Sequence, residues 1–270
     1  MSVFYIKDQY FDATDTLTCG QIFRYEQNEK GFIVFSQDKR AQIIRQQNCW
    51  AIETDDEDYF KAFFDLETDY SVFADKLCDF GEIMQKAVKR GKGIRILRQD
   101  LVEMIVSFII SANNNIKRIQ LIIDRMCKAL GKPIKNGNAF PDIDILAMQD
   151  ESFFTSIGAG YRAKYLKETC KKLRDGFDLD YLKGLDTPSA RKYLMTLKGV
   201  GAKVADCILL FGMHRGDVFP VDTWIKKVYH DAFESGLDDN KISAFFVDKF
   251  QDLSGLAQQY LFYYYRTIDK

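Results

Sequence analysis

The feature that most constrains this chain is a change in the period of its apolar residues near residue 57. Before it, FRYEQ, GFIVFSQ, AQIIRQ and CWAIET are short runs rich in β-branched and aromatic residues, separated by polar or glycine-containing turns. That is the pattern of antiparallel strands. After it, DYFKAFFDL, SVFADKLCDF, LVEMIVSFII, IKRIQLIIDRMCKALG, AKYLKETCKKLRDGF and SARKYLMTLKG carry apolar residues at helical spacing, often with Gly or Asn near their ends. Strands followed by helices predict an α+β architecture, an N-terminal antiparallel sheet packed on an all-α domain. The sheet and its flanking helices fall in residues 1–85 and the helical domain in 86–270, with the C-terminal two-thirds of the chain expected to be helix alone.

Composition narrows the class further. With 47% apolar residues and 4 prolines in 270 residues, the chain is neither disordered nor collagen-like. No run reaches the roughly 18 apolar residues of a membrane span, and MSVFYIKDQYFD lacks a basic region leading into an apolar one. No membrane partner is expected, and the cytoplasm is the expected location. Six cysteines (Cys19, Cys49, Cys78, Cys127, Cys170 and Cys207) lie far apart, and His214 and His230 are the two histidines. Neither set has metal-ligand spacing, so the reading is no metal and no cofactor.

The net charge of −1 argues, as an average, against a polyanion partner. The average conceals a division. Residues 1–85 hold 8 Lys/Arg against 17 Asp/Glu, a balance of −9, and 86–270 hold 30 against 22, a balance of +8. The basic runs KAVKRGKGIRILR and YRAKYLKETCKKLR are either solvated helix faces or part of a surface for a polyanion.

One segment carries more chemistry than the rest. In YLMTLKGVGAKVADCILLFGM, Gly199-Val200-Gly201 joins two stretches of helical spacing. Glycines tighten such a turn and bring backbone N–H groups to the surface where the next helix begins, a place suited to a phosphate oxygen. An ordinary helical corner has the same outline. Lys203 lies two residues beyond the turn, and Asp222 precedes TWIKKVYH, where it can cap a helix. A lysine amine is a nucleophile only when neutral, so a closed pocket at a helix start is expected to depress its pKa. An ionised carboxylate near a sugar stabilises oxocarbenium character. A solvated lysine and a simple cap are the bland alternatives.

LKGVGAKVADC followed by FPVDTW resembles the helix-hairpin-helix DNA glycosylases, in which the hairpin binds the DNA backbone. Lys203 matches the catalytic lysine of the members that also cleave the strand, and Asp222 the Asp that ends their Pro-Val-Asp turn. Within that superfamily the chain is most similar to the 8-oxoguanine DNA glycosylases, over most of its length. The resemblance implies an N-terminal sheet like half of a TATA-binding protein. It also implies that Gly20, in Gly20-Gln21-Ile22-Phe23-Arg24, offers a carbonyl to the N7 hydrogen that the lesion has and guanine lacks. Cys207 and Phe262 would flank the extruded base, with Gln258 on its Watson–Crick edge. SFIISANNNIKRI and GAGYRAKY resemble the DNA-reading segments. There Asn113 would enter the space the lesion leaves, Tyr161 wedge the stack, and Arg118 and Arg162 read the opposite cytosine, with Gly199 and Gly201 on the backbone.

The implied function is a bifunctional glycosylase and lyase that acts as a monomer on double-stranded DNA containing 8-oxoguanine, at the nucleoid of a bacterium or in a eukaryotic nucleus. Two departures stand out. Trp224 occupies a place where the family often has a phosphate-contacting His, and no four-cysteine cluster follows the hairpin. A non-catalytic DNA-binding module and an alkylated-base glycosylase on the same fold are the competing readings.

Overall fold

The computed structural model describes residues 2–7, 9–233 and 236–268. Five strands, β1 (Ser2–Ile6), β2 (Tyr25–Asn28), β3 (Gly31–Ser36), β4 (Lys39–Arg45) and β5 (Trp50–Thr54), form an antiparallel sheet in the order β1-β5-β4-β3-β2. The register pairs Phe32 with Ile43 and Val34 with Ala41, and Ile43 with Ile52, so the centre of one face is apolar. That face is closed by Ala13 and Leu17 of α1 (Ala13–Thr18) and by Phe60 and Phe63 of α2 (Glu57–Phe63), with Phe64 just beyond. The β2–β3 turn is set by Asn28, whose Oδ1 accepts from the backbone N–H of Lys30 at 2.9 Å and Gly31 at 3.1 Å.

The helical core begins with α3 (Tyr70–Cys78) and α4 (Glu82–Gly91). Their Tyr70, Leu77, Met84 and Val88 pack into the same cluster as α5 (Leu101–Ser111) and α6 (Ile116–Leu130). α5 is buried on nearly every side, which explains LVEMIVSFII as an almost uninterrupted apolar run. Around it lie α7 (Ile143–Ala147), α8 (Glu151–Ser156), α9 (Arg162–Asp175), α10 (Leu179–Gly184), α11 (Thr187–Leu194), α12 (Ala202–Gly212), α13 (Thr223–Ala232), α14 (Ile242–Phe250) and α15 (Ser254–Ile268).

Among the described residues of the helical domain stands one pair of two-residue strands. β6 (Pro133–Ile134) and β7 (Gly137–Asn138) form a short antiparallel ribbon. It turns on Asn136 at φ +61° and lays Gly137 against the Phe35 ring of the sheet. Buried polar groups join the two cores: Arg24 meets Glu103 at 3.3 Å, and the Gln99 side chain donates to the Gln21 carbonyl at 2.9 Å.

Candidate active site

The hairpin is formed by α11 and α12, and its two glycines have different physical reasons. Gly199 sits at φ +83°, where a Cβ would come within 2.9 Å of the Tyr165 side chain, so both backbone and space demand glycine. At Gly201 the backbone is ordinary and a Cβ would meet nothing within 4 Å. What the second glycine leaves is bare backbone on an exposed surface, at a helix start that no side chain caps. Thr169 donates to the Lys198 carbonyl at 2.8 Å and Lys172 to the Thr196 carbonyl at 2.9 Å, holding the turn in place. A concavity of about 620 Å3 lies beside it, with Lys172 and Lys198 on its wall.

From this turn α12 carries Lys203 and Cys207 inward on one face. The Lys203 Nζ lies 5.7 Å from the Phe108 ring centroid. Removal from water pulls the amine toward its neutral form, but Cys207 and the Asp222 carboxylate outweigh that, and the net shift of Lys203 is upward. The expected depression of its pKa is therefore corrected: the free protein holds an ammonium. Burial pushes the Cys207 thiol up. Asp222 caps α13 by accepting from the Ile225 N–H at 2.9 Å. Asp56, Asp100, Asp178 and Asp186 cap helices in the same way. What separates Asp222 from them is the cavity it lines.

That cavity is also lined by Gly20, Gln258 and Phe262, which with Lys203, Cys207 and Asp222 make six residues singled out in the sequence that converge on one place. Gly20 adopts φ +92°, with its Cβ position 3.5 Å from the Phe262 ring. Its loop is strapped down by its neighbours. Gln21 donates to the carbonyls of Thr16 and Arg95 at 3.0 and 2.8 Å and accepts from the Leu97 N–H at 2.9 Å, while Arg24 donates to the Asn138 carbonyl at 2.6 Å. The volume is about 50 Å3, room for a few water molecules and far short of a purine.

Asn113, Arg118, Tyr161 and Arg162 form a second cluster where the α5–α6 turn meets the start of α9. Asn113 takes φ +49° in that turn. Tyr161 is 55% exposed and donates its hydroxyl hydrogen to the Ala112 carbonyl at 3.2 Å. Arg118 is exposed and reaches the Gly158 carbonyl at 3.4 Å. Arg162 does not stand free as a reader of cytosine. It is 4% exposed, and its guanidinium donates to the carbonyls of Ala112 at 2.8 Å, Asn113 at 2.8 Å and Ala159 at 3.3 Å.

Five lining residues were not legible in the sequence: Cys19, Phe108, Phe211, Pro220 and Gln259. Phe211 follows Cys207 by four and could have been found by helical spacing. Phe108 is brought in by α5 from nearly a hundred residues away and leaves no local signal.

An antiparallel sheet against a helical core, with a lysine and an aspartate at a closed pocket beside a hairpin, defines a base-excision class of fold and site. Residues 106–250 match the family described as HhH-GPD superfamily base excision DNA repair protein. Residues 3–105 match the 8-oxoguanine DNA glycosylase N-terminal domain, and the chain belongs to the 8-oxoguanine DNA glycosylase family of that superfamily. A crystal structure of Clostridium acetobutylicum 8-oxoguanine glycosylase/lyase with double-stranded DNA containing cytosine opposite 8-oxoG superposes with a TM-score of 0.93 at 36% identity, covering 100% of this chain and 99% of that one. A probable N-glycosylase/DNA lyase from Methanothermobacter thermautotrophicus is 30% identical over 75% of this chain and 71% of its own length. The N-glycosylase/DNA lyase OGG1 of Arabidopsis thaliana is 33% identical over 76% of this chain and 60% of its own length.

Proposed function

We propose that this protein excises 8-oxoguanine from double-stranded DNA, with preference for cytosine opposite, and then cleaves the strand as an AP lyase, acting as a monomer in base excision repair. The observation that carries the proposal is the convergence of Lys203 and Asp222 on the cavity that Gly20, Cys207, Gln258 and Phe262 also line. Phosphates dock on the hairpin turn, and the extruded base enters between Cys207 and Phe262. Lys203 first gives up a proton, the one the departing base takes up. Its nitrogen then bonds to C1′ while the glycosidic bond breaks, and the departing base keeps that electron pair and takes up a proton. Asp222 stabilises the positive charge that develops on the sugar. Ring opening gives a Schiff base, loss of a C2′ proton leads to β-elimination, and the strand breaks on the 3′ side. Trp224, half-exposed next to Asp222, has the Lys227 ammonium 5.8 Å from its ring centroid, so a cation is at hand where the missing histidine would contact phosphate.

The test is a set of duplexes with 8-oxoguanine opposite each of the four bases, assayed with and without alkaline cleavage. Excision opposite cytosine with strand breaks that need no alkali is the expected result. Breaks only after alkali would remove the lyase step, and release of alkylated bases alone would favour the alkylated-base reading.

A further inference from the structure

Two glutamines, not one, line the cavity, and the second has a buried oxygen that no described residue bonds. Gln258 and Gln259 are 4% and 3% exposed, and both line the cavity. The Gln259 Nε2 donates to the Gln258 Oε1 at 2.8 Å. That bond has a directional consequence. An amide oxygen that already receives a hydrogen is fixed as the acceptor end, so Gln258 keeps one amide orientation in the closed pocket instead of two. The Gln259 Oε1 is buried without a hydrogen-bond partner among the described residues. Such an atom costs free energy unless something supplies a hydrogen, and buried orphans are rare for that reason.

We propose that Gln259 is a specificity-determining residue of the base pocket: it sets the orientation of the Gln258 amide and takes, on its own Oε1, the exocyclic 2-amino hydrogen of the excised purine. The inference rests on the proposed glycosylase reading, since it assumes that an 8-oxopurine enters this cavity. The chemistry selects one feature of the Watson–Crick edge. 8-Oxoguanine brings a 2-amino donor to the orphaned oxygen. 8-Oxohypoxanthine has the same ring, the same 8-oxo group and the same N1–H, but no 2-amino group, and leaves the oxygen buried and unpaired. A site built around a hydrogen bond rejects the ligand that lacks it more strongly than it rewards the one that has it.

The experiment measures single-turnover excision of 8-oxoguanine and 8-oxohypoxanthine, each opposite cytosine, by the intact protein and by Gln259→Leu, Gln259→Met and Gln259→Glu. The two lesions differ in the cost of leaving the duplex, but that difference is the same for every variant and cancels in the comparison of ratios. The wild type is expected to prefer 8-oxoguanine, with Gln259→Leu losing roughly 5–30-fold of that preference, the range spanned by one or two buried hydrogen-bond equivalents. Gln259→Glu, nearly identical in shape, keeps the acceptor for the 2-amino group but cannot donate to Gln258. It is expected to retain preference while slowing on both lesions; Gln259→Met, which keeps the side-chain length without the amide acceptor, is expected to lose preference as Gln259→Leu does and carries the test if Gln259→Leu does not fold. A residue that only packs would change melting temperature and leave the ratio alone. An unchanged ratio in Gln259→Leu, or no wild-type preference, overturns the assignment. Absence of excision of either lesion by the wild type instead overturns the underlying glycosylase reading.

Discussion

Asp206 and Cys207 are adjacent on α12 and meet different surroundings. Cys207 lines the base cavity, while Asp206 is held by the Arg191 guanidinium at 2.5 Å. Burial pushes the Asp206 carboxyl up to about 6, although Arg191 pulls it down. The folded value lies above the ordinary 3.8 of a free carboxyl, so the native state binds this proton more tightly than the unfolded chain. Its contribution is complete at low pH and is lost as pH rises through about 6. Thermal unfolding followed from about pH 4 to 7 should show wild type losing stability relative to Asp206→Asn across that window, and parallel curves would contradict the assignment. At this scale the sequence was informative where partners are local. Lys203 with Cys207, and Gln258 with Phe262, are helical neighbours four apart, and the motif around them was readable. The direction of the Lys203 shift was not, because it depends on Asp222, brought in by another helix, and on how its charge balances burial. The bonds that bury the Arg162 guanidinium likewise arise only when the α5–α6 turn is in place.

Among the elements, the hairpin shows how two glycines in one motif can be required for different reasons. Replacing Gly199 by Ala forces a side chain into the left-handed region and against Tyr165, and should cost about 1–3 kcal/mol of stability. Gly201→Ala has open space and an ordinary backbone, so its melting temperature should stay near wild type while its affinity for duplex DNA falls. Calorimetry and a binding titration on both variants separate the effects. If Gly201→Ala bound DNA as well as wild type, the turn would be a helical corner and no phosphate site. Four strands and the long helices were legible because their periods are clear. β1 and α1 were not: SVFYI is a five-residue edge strand, and α1, ATDTLT, is too polar to show a helical stripe and is anchored by Thr16 donating to the Gly93 carbonyl at 2.8 Å. The β6–β7 ribbon did leave a signal, Asn136-Gly137, but in a region otherwise helical by period.

Over the whole molecule the near-neutral average charge hides a division between a sheet-bearing half at −9 and a helical half at +8. The hairpin, Lys203 and the cluster of Asn113, Arg118, Tyr161 and Arg162 all belong to the basic half, so DNA binding should weaken with salt through that side. Lys198→Ala, beside the hairpin, is expected to lower the slope of log affinity against log salt by roughly 0.9, the contribution of one phosphate contact. Lys61→Ala on the sheet side, where Lys61 pairs with Glu57 at 2.6 Å, should leave the slope unchanged. Equal slopes for the two variants would mean that the charge division does not orient binding. The central claim is that Lys203 is the nucleophile at a pocket for 8-oxoguanine, and borohydride trapping tests it most directly. Wild type incubated with an 8-oxoguanine:cytosine duplex and borohydride should yield a covalent protein–DNA adduct that Lys203→Gln does not form. An adduct of equal yield with Lys203→Gln, or none with wild type, would contradict the account.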